Sequence, residues 1–172
     1  LDMRSLSADI KVVTGGAILT AAKAVLSDAD VQLPVVPHIL GGDDVLVSLP
    51  ASRAWPFLRA FLSTMRTGFE KYSEAAPSVS AGMVICHRDY PIANQVELAE
   101  TLLLSAKRHV AGRDWSFLWA DVTAEGPIPS LRTPWRLSDL DARAGALDAL
   151  NGIPKSSKQR LQEILSHPDA NI

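Results

Sequence analysis

Residues 35–49 read VVPHILGGDDVLVSL, two apolar runs separated by two glycines and two aspartates. The β-branched residues in both runs favour extended structure. Gly41 and Gly42 can adopt the positive φ that a short hairpin turn needs, and Pro50 ends the second run. The pattern predicts a strand, a tight turn and a second strand, with Asp43 and Asp44 at the turn.

The flanking sequence predicts further helices and strands. Apolar residues recur every three or four positions over residues 4–27, which indicates a helix with one buried face, although Gly15 and Gly16 weaken it. Downstream, the spacing predicts a helix from Trp55 to Phe69, a strand over 78–86, a helix over 92–110 and a strand over 115–122. Two short helices follow, and a capping box of Ser138 and Asp141 is expected to open the first.

This order becomes the βαββαβ pattern of a ferredoxin-like sheet once one strand is added before the first helix. We therefore predict the α+β class, with an antiparallel sheet and helices on one face. The added strand would lie near the middle of the sheet, where unpaired backbone groups are costly. We expect it to come from sequence upstream of Leu1 or from another chain.

Composition excludes several classes of function. The 172 residues include 17 basic and 19 acidic side chains, which argues against a protein held to nucleic acid by bulk charge. A single cysteine, Cys86, can form no internal disulfide and fits a reducing cytosol. No apolar run approaches the ~20 residues of a membrane span, so we expect a cytoplasmic protein with no membrane partner.

The adjacent carboxylates suggest a cation site. Like charges at a hairpin tip repel each other unless something positive meets them. Mg²⁺ prefers carboxylate oxygens and substrate phosphates, and the glycines let a triphosphate approach the backbone. From these residues alone, an ordinary Gly-Asp turn is the alternative interpretation, because both residue types are common in turns.

A family resemblance favours the cation site. Residues 33–47, LPVVPHILGGDDVLV, resemble the second palm domain of the large, polymerase-like subunit of type III CRISPR effector complexes. Residues 80–87, SAGMVICH, then Pro91, 98–100 and Ala106-Lys107 look like the following strand and helix of that family at matching separation. The resemblance covers about residues 33–110 and implies a palm domain over 1–125 with a helical extension over 126–172.

The resemblance implies a Mg²⁺- or Mn²⁺-dependent nucleotidyl cyclase that joins ATP units into cyclic oligoadenylates. Asp43 and Asp44 would be the catalytic metal ligands. The nucleotide would be bound by Gly41 and Gly42 along the phosphate path, by Lys107 at the triphosphate and by Ser80 on the adjoining strand. The expected partners are a second palm domain, from a homodimer or a missing half of a longer chain, other effector subunits, and guide or target RNA.

Two alternatives stay open. The family's first palm strand carries a further metal-binding acid, for which Asp2 at the chain's end and Asp9 on a helix are poor substitutes. A catalytically degenerate palm, serving as a structural or nucleotide-binding module of the ribonucleoprotein, is therefore the second hypothesis. Diguanylate cyclase-like chemistry on GTP is the third, and it is less favoured because the turn ends in Asp44-Val45 rather than in a Glu-Phe pair.

Other residues that are common in sites are given structural roles. His38 and His87 have no second ligand at a useful spacing, so hydrogen-bonded roles are predicted for them. The four tryptophans lie at helical or alternating positions, which is typical of core residues: Trp55, Trp115, Trp119 and Trp135.

Overall fold

The computed structural model describes residues 3–126, 132–151, 153–154, 156–157 and 160. Its helices are α1 (Met3–Ala24), α2 (Ala54–Phe69), α3 (Ile92–His109), α4 (Val122–Glu125) and α5 (Leu137–Asn151). Its strands are β1 (Val36–Gly41), β2 (Asp44–Ser48), β3 (Ser80–Ile85), β4 (Ser116–Asp121) and β5 (Trp135–Arg136). Short 3-10 helices, Ala51–Arg53 and Glu70–Ala75, flank α2. The predicted α+β class is confirmed.

The strands form two separate sheets. β1 and β2 make an antiparallel hairpin, while β3 pairs in parallel with β4, which pairs antiparallel with β5. The parallel pairing of β3 with β4 departs from the antiparallel sheet expected from the sequence. It arises because α3 carries the chain from the end of β3 back to the start of β4, as a crossover helix does.

The helices pack on both faces of the β3–β4 pair. α1 and α2 pack against each other and share the main core with Phe117 of β4. α3 covers the opposite face, where a methyl group built on Gly82 would lie only 2.1 Å from the carbonyl oxygen of Ala99. The expectation of helices on one face therefore holds for α1 and α2 but not for α3, whose close approach requires glycine at position 82.

The predicted tryptophan core is confirmed. Trp119 meets both Trp55 and Trp135 edge to face, with ring centroids 5.2 Å and 4.7 Å apart respectively. Trp115 also packs against the main core. The two-residue strand β5, which the sequence did not reveal, brings Trp135 into this cluster by pairing with β4.

Helix α5 is opened by different residues from those predicted. The backbone N–H of Arg136 donates to Oδ2 of Asp139 at 2.9 Å, and this hydrogen bond lowers the pKa of Asp139. Asp141 instead forms ion pairs with Arg59 and Arg66 of α2. The capping box predicted for Ser138 and Asp141 was therefore misplaced, because the helix begins two residues earlier than its pattern suggested.

The predicted helices at the two ends of the chain have different outcomes. α1 continues without a break through Gly15 and Gly16, as the predicted helix over 4–27 required. The second predicted C-terminal helix falls largely outside the described residues.

Within the described part of the chain, none of the helices has the length and the apolar character needed to cross a membrane.

Candidate functional site

The Gly-Gly-Asp-Asp sequence forms the turn of the β1–β2 hairpin. Gly41 ends β1 and pairs with Asp44, the first residue of β2, so Gly42 and Asp43 are the two turn residues. Gly42 has φ of +68°, whereas Asp43 is not among the described non-glycine residues with positive φ. These signs are those of a type II′ turn, which places glycine at its first central position. The predicted hairpin is confirmed.

Both aspartates of this turn are exposed. Among the described residues, no ion pair or side-chain hydrogen bond engages either carboxylate. The turn therefore presents two adjacent negative charges that no cation of the described residues engages in an ion pair. A divalent cation or a set of ordered counter-ions removes the repulsion between such charges most directly.

The turn lies at a cleft between the two sheets. The cleft has a volume of about 1460 Å³ and is lined by Asp43 and Asp44, by β2 and β3, and by residues of α2 and α3. Ser80 and Lys107 line the same cleft. The structure thus brings four of the six predicted site residues to one cavity, with Gly41 and Gly42 in the adjoining turn.

Lys107 and Ser80 differ in what they can offer a ligand. Lys107 is exposed in the last turn of α3, and none of the described acidic residues is ion-paired with it. Ser80 Oγ lies 3.1 Å from Oγ of Ser116, which donates its own hydrogen to the carbonyl oxygen of Ala106 at 3.0 Å. Because Ser116 has only one hydroxyl hydrogen, Ser80 is the donor between the two serines. Its hydroxyl is engaged inside the fold.

Lys11 of α1 is a site residue that sequence reasoning missed. A methyl group built on Gly42 would lie 3.9 Å from Cε of Lys11, so this exposed side chain reaches the turn. No ion pair joins Lys11 to another described residue. No local pattern could have revealed it, because 31 positions separate Lys11 from Gly42 and only the packing of α1 brings them together.

Asp9, the acidic residue of α1, is not part of this site. Asp9 accepts a hydrogen bond from Tyr72 Oη and pairs with Lys71 Nζ. The bond from Lys71, followed by that from Tyr72, lowers the pKa of Asp9, and the same contact raises the pKa of Lys71. Asp9 is thus bound within the fold, which agrees with its expected unsuitability as a metal ligand. Asp2 lies outside the described residues.

The two histidines have structural contacts. His38 Nε2 lies 2.8 Å from Ser48 Oγ across the β1–β2 hairpin, and His87 Nδ1 lies 3.3 Å from Asp89 Oδ2 in an exposed loop. No group of three or more metal-ligating side chains gathers anywhere in the described residues. Any metal at the turn would therefore take its protein ligands from Asp43 and Asp44 and complete its shell with water or substrate oxygens.

A hairpin that presents paired aspartates beside a helix-packed strand is the arrangement that the sequence resemblance to a palm domain led us to expect. Comparison with protein families gives the same answer, since the model of the Cas10/Cmr2 second palm domain matches residues 17–116, more than half of the chain. The chain belongs to this family. It is a palm domain of the large subunit of a type III CRISPR effector, and such a subunit works within a multi-subunit complex. A search of curated proteins found no match to the sequence.

Proposed function

We propose that this palm domain binds ATP with Mg²⁺ at the turn and joins ATP units into cyclic oligoadenylates. The observation that carries the proposal is the pair of exposed aspartates, Asp43 and Asp44, which form no ion pair with any described residue and lie beside a cleft that Lys107 also lines. Carboxylate oxygens and a nearby ammonium group are complementary to a metal–triphosphate complex.

The donor set fits magnesium. Mg²⁺ is usually held by one or two carboxylates together with substrate phosphates and water, and the turn supplies two carboxylates. When bound there, the metal would supply Lewis-acid stabilisation of phosphate oxygens. Asp43 and Asp44 would hold it, and Gly42, which has no Cβ, would let the triphosphate approach the backbone.

The lysines of the site would act on the triphosphate itself. Lys107 would bind phosphate oxygens as a point charge from the end of α3, and Lys11 would add positive charge beside Gly42. In the reaction, a ribose hydroxyl oxygen of one nucleotide attacks the α-phosphorus of the next. A new phosphodiester bond forms, the bond from the α-phosphorus to the bridging oxygen breaks, pyrophosphate leaves, and the hydroxyl proton passes to solvent.

The test compares product formation in matched variants of the effector complex. With ATP and Mg²⁺, complexes that carry Asp43→Asn together with Asp44→Asn should lose at least about a hundredfold in oligoadenylate formation, because the metal loses its protein ligands. Asp28→Asn serves as the control, since Asp28 is an exposed acid away from the cleft. Unchanged product formation in the double variant would refute the proposal.

The second candidate function is a degenerate palm that contributes structure without catalysis. The Ser80–Ser116–Ala106 hydrogen bonds favour it, because they show one predicted nucleotide-binding residue holding β3 to β4 and α3. Under this hypothesis Ser80→Ala lowers the melting temperature without altering nucleotide affinity. Under the enzyme hypothesis the Asp43/Asp44 double variant loses product while retaining its melting temperature.

A further inference from the structure

The β1–β2 hairpin contains a β-bulge just before its turn. The pairing shifts by one residue between Pro37 and Ile39, so His38 has no partner of its own in β2. An extra residue of this kind bends a strand locally, and bulges are frequent next to active sites, where they re-aim side chains. This bulge lies three residues before Gly41 and therefore on the approach to the Gly-Gly-Asp-Asp turn.

The side chain of His38 lies on the face of the hairpin that carries Asp44. Its Nε2 is 2.8 Å from Oγ of Ser48. Ser48, Leu46 and Asp44 share one face, because side chains alternate along a strand. Ile39 is on this face as well, since it pairs directly with Leu46. His38 and Ile39 are consecutive residues on one face, which is the effect of a bulge.

The bulge decides which residue of β1 stands opposite Asp44. In the observed register that residue is Gly41, and a Cβ built on it would meet no atom within 4 Å. If β1 continued from Val36 without a bulge, Leu40 rather than Gly41 would pair with Asp44. Residues 41–43 would then form a three-residue loop, which is also a common hairpin connection. The hairpin therefore has two accessible registers.

A leucine opposite Asp44 would obstruct the proposed metal–nucleotide site. Directly opposed residues of two antiparallel strands have Cβ atoms about 4.5–5.5 Å apart. The apolar side chain of Leu40 would therefore lie beside the Asp44 carboxylate and exclude water and phosphate oxygens from that side of it. Gly41 in the same place has no Cβ and leaves the carboxylate open to a hydrated metal.

The contact between His38 and Ser48 favours the bulged register. Because Ile39 occupies the place opposite Leu46, His38 is displaced along the hairpin toward Ser48. In the register without a bulge, His38 itself would stand opposite Leu46. Ser48 would then be its diagonal neighbour, and such neighbours are about 7–8 Å apart. The hydrogen bond is therefore better formed when the bulge is present.

We propose that His38 and Ser48 are positioning residues of the hairpin: their hydrogen bond fixes the bulge, and the bulge places Gly41 opposite Asp44. They act on the site through the strand register and not by contact with the nucleotide. The consequence for nucleotide binding rests on the proposed function, whereas the register is a property of the hairpin alone.

Two variants of Ser48 that differ by one hydroxyl test this role. Ser48→Thr keeps the hydroxyl, and Ser48→Val replaces it with a methyl group of similar size. Cross-strand NOEs in NMR spectra of the chain report the register, since they join Asp44 to Gly41 when the bulge is present and to Leu40 when it is lost. We expect only Ser48→Val to show contacts between Leu40 and Asp44. The same variant should weaken Mg²⁺–ATP binding in calorimetry by about fivefold, as for loss of one hydrogen bond.

Deletion of His38 separates the bulge from other effects of Ser48. Without the extra residue, Val36 and Gly41 keep their present partners in a regular ladder. Ser48→Val should therefore change neither the register nor the affinity in the chain that lacks His38. Thr101→Val is the control outside the hairpin, because it removes a hydroxyl on α3 that donates to a backbone carbonyl oxygen at 2.9 Å. It should leave both measurements unchanged.

The contrary outcomes identify which step fails. An unchanged register in Ser48→Val would show that the hydrogen bond does not hold the bulge. A shifted register with unchanged Mg²⁺–ATP affinity would show that the site does not depend on glycine opposite Asp44. If the wild type itself showed no Mg²⁺-dependent binding, the proposed function would be wrong. The NOEs would still decide whether the contact between His38 and Ser48 sets the register.

Discussion

Two groups of aspartates meet different surroundings in this domain. Asp30 accepts hydrogen bonds from both terminal nitrogens of Arg53, at 2.6 and 2.8 Å, and Asp9 is bound to Lys71 and Tyr72. Asp43 and Asp44 have no comparable partner among the described residues. The described fold therefore supplies cations to the carboxylates that fasten its loops and helices but forms no ion pair with the two at the turn, which is what the proposed metal site requires.

The Asp30–Arg53 contact should matter for stability and not for nucleotide chemistry. Arg53 also donates to the carbonyl oxygen of Val25 at 2.8 Å, so the pair ties the end of α1 to the segment before α2. Asp30→Asn removes a charge-assisted bidentate contact, and we expect the melting temperature to fall by several degrees. Nucleotide affinity should be unchanged. If Asp30→Asn lowered nucleotide affinity without lowering the melting temperature, Asp30 would not differ in role from the aspartates at the turn.

The pH dependence of stability sharpens the contrast between the two groups. The hydrogen bond from Arg53 holds the pKa of Asp30 far below its usual 3.8. The contribution of ionised Asp30 to the free energy of unfolding is therefore complete above pH 3.8, the usual pKa of the group. It declines as the pH falls below that value toward the pKa of Asp30 in the folded protein. The difference in unfolding free energy between the wild type and Asp30→Asn should be constant near neutral pH and shrink in acid. A difference that grows in acid would contradict this role of Asp30.

Lys107 should have the largest effect among the lysines. Lys107→Gln removes the ammonium group that lines the cleft while keeping a side chain of similar length. We expect the dissociation constant for Mg²⁺–ATP to rise about tenfold, as for loss of one charge-assisted contact to phosphate. Arg108→Gln is the matched control, because Arg108 is exposed on the same helical turn but does not line the cleft. Equal effects of the two changes would indicate only general charge attraction.

Of the two glycines in the turn sequence, we expect only Gly42 to be sensitive to substitution by alanine. Gly42→Ala places a Cβ at φ of +68° and should destabilise the protein by about 1 kcal/mol, which chemical denaturation can measure. Gly41→Ala should not, because Gly41 has no positive φ and a Cβ there would meet no atom within 4 Å. Equal losses in both variants would show that the turn does not depend on the conformation of Gly42.

Lys11 should make the smallest contribution. Because its side chain is exposed and flexible, solvent screens its charge, and Lys11→Gln should weaken Mg²⁺–ATP binding by about threefold at physiological ionic strength. The effect should diminish in high salt. Lys23→Gln on the same helix provides the control, since Lys23 is exposed in the last turn of α1, whereas Lys11 lies beside Gly42. A salt-independent effect would point to a change in structure.

Local patterns predicted most of the elements and the turn. The two apolar runs around Gly41 and Gly42 indicated the hairpin, and helical spacing indicated α1, α2 and α3. The parallel pairing of β3 with β4 and the position of α3 were not predicted, because they depend on packing between residues distant in sequence, such as Gly82 against Ala99.

The site was predicted in part for the same reason. Asp43, Asp44 and Lys107 were predicted because they belong to local motifs that can be recognised in the sequence. The approach of Lys11 to the turn and the engagement of Ser80 by Ser116 arise only when α1 packs and β3 pairs with β4. These contacts join segments more than 30 residues apart, and neither segment has a local pattern that specifies the other.

Calorimetric titration of a non-hydrolysable ATP analogue tests the central claim most directly. In the wild type, binding should require Mg²⁺ and should be lost when the metal is chelated. In the protein with both Asp43→Asn and Asp44→Asn, the analogue should no longer bind more tightly when Mg²⁺ is present. If the analogue bound both proteins with equal Mg²⁺-dependent affinity, Asp43 and Asp44 would belong to an ordinary turn and not to a metal–nucleotide site.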